Sequence, residues 1–236
     1  DCSLVGRHQG AVPGLYFIET DSSGERSFLY WRDQAPAKRF LDDSENAQRI
    51  FSALMAFDYV YLSGITLAIL TDVSRDRLFA WLPKYREAGG KVIFDNNYRP
   101  RLWPSADDAR ACFSDLYAMT DIALPTFDDE CLVFGRSSED ACLQRLLDAG
   151  VSEIVSKLGA QGCRVRTVSE DERVKAYSVT VRDTTAAGYS FNAGFLAHRL
   201  SGVTLCDAAD VGCRLAPIVV QHPGAIIDKE LMSDLQ

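Results

Sequence analysis

The chain has 236 residues, 47% of them hydrophobic, and a formal net charge of −8 at pH 7. That length suits one large α/β domain with a small appendage, and the apolar fraction is enough to bury a core. The acidic balance argues against nucleic acid or an anionic membrane surface as the main partner, and no apolar run approaches a membrane span. Seven scattered cysteines without a C-x-x-C pair read as reduced thiols of a cytoplasmic protein, and the three histidines show no metal-ligand spacing. The opening DCSLVGRHQG carries neither Met nor a signal-peptide pattern, which reads as the start of a fragment.

In chain order, GLYFIET and SFLYWR flank the turn-rich DSSGE, so Gly14 to Arg32 predicts a β-hairpin. Alternation puts Phe28, Tyr30 and Arg32 on one face, and Leu29 and Trp31 on the other. Residues 1–40 are therefore expected to form a β lid, and residues 41–236 an α/β core. The helical SENAQRIFSALMAF leads into the apolar run YVYLSG. A long helix, TDVSRDRLFAWLPKYREAGG, follows, with a double glycine as its stop and a kink expected at Pro83. Then come KVIFD, a helix from about Ser105, DIALP, a helix through EDACLQRLLDAG, EIVSKLG, and the strand-like RVKAYSVTV. Short apolar strands separated by helices imply βαβ crossovers and a mainly parallel sheet with helices on both faces. In such sheets ligands bind beyond the carboxyl ends of the strands. The segments to watch are Ser63–Gly64, Asp95–Trp103, Thr126–Glu130, Lys157–Gly162 and the run from Asp183. No G-x-G-x-x-G follows a first strand and no Walker A sequence is present, so a dinucleotide oxidoreductase or P-loop enzyme has no support.

The run DTTAAGYSFNAGFLAHRL, Asp183 to Leu200, carries the most chemistry. Small residues Ala186-Ala187-Gly188 let a backbone approach a ligand closely. The apolar Ser190–Leu200 reads as a buried helix whose first N–H groups and positive dipole end would face an anion. An ordinary loop-to-helix junction is the alternative reading of the same segment.

That run resembles the D-T-x-(G/A)-A-G-D-x-F signature of the ribokinase-like (PfkB) sugar kinases. Together with PGLYFIETDSSGERSFLYWR and VIFDNNYRPRLW, it is most similar to the 2-keto-3-deoxygluconate kinases, from about Val12 to Ile227. The resemblance implies a ribokinase-like fold with a small β lid, and ATP-dependent phosphorylation of the 6-hydroxyl of 2-keto-3-deoxygluconate, with Mg2+ and without nucleic acid or membrane. It implies an anion hole at Ala186, Ala187 and Gly188, and an ATP side at Asn97, Lys157, Gly159, Gly162, Asp183 and Thr184. Tyr16, Tyr30, Arg32 and Arg99 would contact the sugar acid, a guanidinium suiting a carboxylate because it bonds both oxygens in a fork. Asp129 or Glu130, in PTFDDE, would act on the magnesium indirectly. Relatives commonly pair such lids between subunits, which implies a homo-oligomer.

Three departures accompany the resemblance. The family begins with a further part carrying a Gly-Gly-Asp sugar-binding loop, and this sequence starts after it. The link between VKAYSVTV and RDTTAAG is shorter than the family's. Tyr189 stands where the family has the Asp that accepts the proton of the substrate hydroxyl. Two other readings follow: an inactive relative or fragment that still binds nucleotide or sugar acid, and a kinase for another sugar such as fructose or ribose.

Overall fold

Leu15–Thr20 (β1) and Arg26–Trp31 (β2) pair antiparallel in a two-stranded sheet of their own, with Leu15 opposite Trp31, Tyr16 opposite Tyr30 and Phe17 opposite Leu29. They belong to a computed structural model that describes residues 2–20 and 26–235; the DSSGE connection lies outside the described residues, as does the Phe28 side chain. The chain divides into two compact units, Asp1–Val60 with Ile65–Lys91, and Tyr61–Gly64 with Val92–Gln236.

In the first unit, β1 and β2 keep the expected two-residue period. Tyr16 and Tyr30 lie together with ring centroids 6.3 Å apart, and the Arg32 guanidinium sits 4.2 Å above the Tyr30 ring. The other face carries Leu15, Phe17, Leu29 and Trp31, all exposed, with Phe17 and Trp31 edge to face at 5.5 Å. Helix Ser44–Leu54 (α1) starts at Asp43, whose carboxylate accepts from the Asn46 N–H. After helix Gly64–Ile69 (α2), helix Asp72–Glu87 (α3) starts at Thr71 in the same manner, accepting from the Ser74 N–H. These side-chain caps satisfy donors that a helix start leaves unpaired. Phe51, Trp81 and Tyr85 stack in series at 4.8 Å each, joining α1 to α3, and the Tyr85 hydroxyl donates to the Phe57 carbonyl. Pro83 lies inside one continuous helix, where it supplies no N–H to the carbonyl a turn earlier.

The second unit is built on a six-stranded sheet in sequence order. Its strands are Tyr59–Ser63 (β3, the last three residues of which belong to this unit), Lys91–Asp95 (β4), Ile122–Ala123 (β5), Glu153–Lys157 (β6), Cys163–Arg166 (β7) and Asp171–Val174 (β8). Strands β4, β5 and β6 pair in parallel, and β6, β7 and β8 antiparallel. The buried run Val92-Ile93-Phe94 and the buried Ile154 and Val155 are what a parallel strand covered on both faces requires. Helices Ala106–Tyr117 (α4), Phe127–Phe134 (α5), Glu139–Asp148 (α6), Ala187–Arg199 (α7) and Leu205–Val220 (α8) supply the cover.

Two sequence expectations change here. The strand read across RVKAYSVTV ends at Val174, opposite Cys163 where its partner β7 begins; further on, the Arg182 and Asp183 N–H groups bond to the Val220 carbonyl at the end of α8. The helix read from Ser190 starts three residues earlier, at Ala187. The closing antiparallel pair β7–β8 and the helix α8 were not anticipated. All seven cysteines are free thiols, with the Cys163 and Cys213 sulfurs 3.8 Å apart.

Candidate active site

The carboxyl ends of β3, β4, β5 and β6 and the start of α7 bring together most of the second unit's buried polar side chains: Ser63, Asp95, Asn96, Asn97, Glu130, Lys157, Ser190 and Asn192. Polar groups are costly to bury without partners, so their bonds define the site. Gly64 follows β3 because a Cβ there would meet the Asn96 carbonyl oxygen at 1.9 Å.

Beyond β4, the chain turns through Asn96 and Asn97. The Asn96 carboxamide accepts from the Thr126 N–H at 2.9 Å and donates to the Thr126 carbonyl at 3.0 Å, copying a strand ladder between two loops. It also donates to Glu130 at 2.9 Å. Glu130 is 2% exposed, and both its oxygens are occupied, one by Asn96 and the Tyr117 hydroxyl, the other by Arg145. Asp129 is different. It is half-buried and accepts from the Tyr98 N–H at 3.1 Å; burial pushes its carboxyl above the ordinary value, opposed by the nearby Arg99 guanidinium. Arg99 itself is exposed and donates to the Tyr98 carbonyl.

Asn97 has φ of 25°, a region non-glycine residues seldom enter, yet it is 7% exposed. Its carboxamide donates to the Tyr189 hydroxyl at 2.7 Å. Tyr189 is half-exposed on the first turn of α7. The residue that opens α7, Ala186, is left-handed at φ 63° and offers no side-chain cap. Among the described residues, neither the Gly188 nor the Tyr189 N–H donates to a protein acceptor, and the space beside the Gly188 α-carbon is open. Free N–H groups at the positive end of a 13-residue helix form an anion-receptive surface. Asp183 braces the loop before α7: its oxygens accept from the Thr185 and Gly224 N–H groups at 2.8 Å each.

Lys157 ends β6 almost fully buried, with its ammonium 3.0 Å from Asp95 Oδ1 and 3.2 Å from Asn192 Oδ1. Gly159 and Gly162 follow in the turn to β7, with φ of 58° and 95°. A Cβ on Gly162 would meet the Val174 carbonyl oxygen at 2.0 Å, so only glycine fits. Thr184 is exposed in the loop before α7.

Of the residues singled out in the sequence, Asn97, Asp129 and Tyr189 meet at these strand ends, directly or through a neighbouring residue. Tyr16, Tyr30 and Arg32 share one face of the hairpin in the first unit. Sequence reasoning missed Tyr61 and Asn192, and marked Asp95 only as the start of a segment to watch; a polar Asn within the apolar SFNAGFLA was the available signal.

A pfkB family carbohydrate kinase profile matches residues 1–231 of the chain. The chain is 49% identical over 233 residues to the 2-dehydro-3-deoxygluconokinase of Dickeya dadantii (strain 3937), covering 97% of this chain and 75% of that one. It is 48% identical over 236 residues to the 2-dehydro-3-deoxygluconokinase of Escherichia coli (strain K12), covering 98% and 76%. Among solved structures, fructokinase from Vibrio cholerae O395 in its fructose, ADP and calcium ion bound form superposes with a TM-score of 0.75 at 24% identity, over 93% of this chain and 72% of that one. That likeness carries the ribokinase-like fold alone.

Proposed function

The chain belongs to the pfkB family of carbohydrate kinases, and we propose that it transfers the γ-phosphoryl group of ATP to the 6-hydroxyl of 2-keto-3-deoxygluconate. The observation that carries the substrate assignment is the 49% identity spread over 97% of the chain. The left-handed Ala186 turn supports the chemistry, because its free N–H groups suit the charge that develops on a transferring phosphoryl group.

The residues divide the work by chemistry. Of the expected anion hole Ala186, Ala187 and Gly188, the Ala187 N–H is taken by the Thr184 carbonyl at 3.3 Å, so the Gly188 N–H, joined by that of Tyr189, receives phosphate oxygens, with Asp183 and Thr184 shaping the approach. Lys157 ends β6, and Gly159 and Gly162 form the turn after it, on the nucleotide side, as is Asn97 beyond β4. Arg32, stacked on Tyr30 beside Tyr16, presents a fork of N–H donors for the substrate carboxylate. Arg99 is an exposed cation in the loop beyond β4, available to substrate or phosphate.

Among the described residues no group of three metal-ligating side chains occurs. That fits Mg2+, which keeps waters and substrate phosphates as ligands and takes few carboxylates. Asp129 fits the indirect acidic role better than Glu130, whose two oxygens are already bonded. Bound magnesium would shield phosphate charge.

Proton acceptance is the weak step. A phenol hydroxyl takes up a proton far less readily than a carboxylate. Tyr189 therefore favours a second reading, in which this chain binds nucleotide and sugar acid but turns over slowly or not at all. Substrate-dependent ADP release above the ATPase background, compared between the natural chain and Tyr189→Asp, separates the two.

We further propose that the chain forms a homo-oligomer through the hairpin. Its face of Leu15, Phe17, Leu29 and Trp31 is exposed and apolar, a composition that favours burial against another copy.

A further inference from the structure

We propose that Asn192 is a positioning residue: through Asp95 and Lys157 it sets the rotation of α7 about its axis, and so aims the free N–H groups of the first turn. The kinetic consequence rests on the kinase reading above; the geometry does not.

Four polar side chains from four elements form a closed network in the second unit. The Asn192 carboxamide accepts from the Lys157 ammonium at 3.2 Å and donates to Asp95 Oδ2 at 2.9 Å and to the Tyr61 hydroxyl at 3.1 Å. Lys157 donates to Asp95 Oδ1 at 3.0 Å, and the Tyr61 hydroxyl donates to Asp95 Oδ2 at 3.0 Å. Asp95 and Asn192 are each 3% exposed and Lys157 8%. Burial and the neighbouring Asp95 hold the Tyr61 phenol far above its ordinary range, so it stays a donor.

The polarity of this network leaves Asn192 one orientation. Turning its carboxamide over would set an NH2 group against an ammonium and an oxygen against a carboxylate. Such a network is a poor route to stability, since apolar side chains of similar volume often do as well or better. Its benefit is uniqueness. Neighbouring residues on a helix point about 100° apart, so a change of register by one residue breaks every bond Asn192 makes. Asn192 stands one turn beyond Tyr189, close enough to the helix start that fixing it fixes Gly188 and Tyr189. At Ala186 no side chain caps the helix, and the one side-chain bond described on its first turn, from Asn97 to the exposed Tyr189 hydroxyl, acts at the end of a long side chain and not on the backbone.

The test exchanges the two buried groups. Asn192→Asp places two carboxylates against one lysine, whereas Asp95→Asn with Asn192→Asp restores one of each. In the ligand-free chain, the Gly188 and Tyr189 amide resonances should move in Asn192→Asp and return in the double variant. With ATP and 2-keto-3-deoxygluconate, kcat should fall at least about tenfold in the single variant with KM for the sugar acid nearly unchanged, and recover in the double one. If Asn192→Asp does not fold, Asn192→Ser serves, with the same amide shifts expected. Wild-type amide positions in either single variant, or no recovery on exchange, would overturn the proposal. If the natural chain and Tyr189→Asp both fail to phosphorylate the sugar acid, the kinase reading fails alone, and the amide resonances still judge the role of Asn192.

Discussion

The Asn97 carboxamide donates a 2.7 Å hydrogen bond to the Tyr189 hydroxyl across 92 positions of sequence, tying the loop beyond β4 to the first turn of α7. The bond gives the phenol a fixed place beside the anion-receptive turn. Tyr189→Asp removes it and substitutes a group that accepts protons at neutral pH. Losing a positioned base typically costs about 10²–10⁴ in rate, so this variant should phosphorylate 2-keto-3-deoxygluconate at least about a hundredfold faster than the natural chain. Equal rates would mean that another group takes the proton. The backbone N–H groups do not depend on this side chain, so nucleotide affinity should change little.

Arg32→Ala should weaken use of the keto acid by about 2 kcal/mol, the scale of a charged hydrogen bond, and leave ATP affinity nearly unchanged. Steady-state kinetics with each substrate varied in turn separate the two effects. An equal loss for ATP would place Arg32 on the nucleotide side.

The faces of the hairpin were legible because a period of two needs no tertiary information: Tyr16, Tyr30 and Arg32 come together as alternation requires. The helix after the small residues was legible because Ala186-Ala187-Gly188 precede an apolar run, although it opens at Ala187 and not at Ser190. The Asp95–Lys157–Asn192 network was not. Its members stand at 95, 157 and 192, each reads locally as an ordinary strand end or helix residue, and only the folded sheet brings them within hydrogen-bonding reach. The alternating AYSVTV misled for a related reason, since alternation signals a strand only where a neighbouring strand exists to pair with it.

Asp129→Asn tests a cost carried at the site. Burial raises the folded-state pKa of this carboxyl. The group's contribution to stability is therefore fully present below its unfolded value near 3.9 and is lost as pH rises through the folded value. At neutral pH the ionised group is a liability, and the amide should raise Tm while lowering magnesium-dependent turnover. Thermal melts from pH 4 to 8 should show the gain growing with pH. A loss of stability at neutral pH would show that the Arg99 attraction outweighs burial.

Glu130→Ala should destabilise the second unit by about 3–5 kcal/mol, because it leaves the partly buried Arg145 unpaired by its carboxylate and the Tyr117 hydroxyl without its acceptor. Denaturant titration measures this. A change below about 1 kcal/mol, the worth of an exposed ion pair, would contradict the structural role given to Glu130.

Phe17→Ser with Trp31→Ser should convert an oligomer to a monomer, since both rings lie on the exposed apolar face of the hairpin. Sedimentation velocity reads the outcome directly. An unchanged oligomer would place the interface elsewhere, and a monomeric natural chain would remove the proposal.

The central claim is tested most directly by phosphorus NMR of the product formed from ATP, Mg2+ and 2-keto-3-deoxygluconate, with fructose and ribose as competing acceptors, using the natural chain and Tyr189→Asp. The account predicts a phosphate monoester on the 6-oxygen of the keto acid, formed faster by Tyr189→Asp, and little or no product from the sugars that lack a carboxylate. Product from fructose or ribose at an equal or greater rate, or none from the keto acid with either protein, would contradict it.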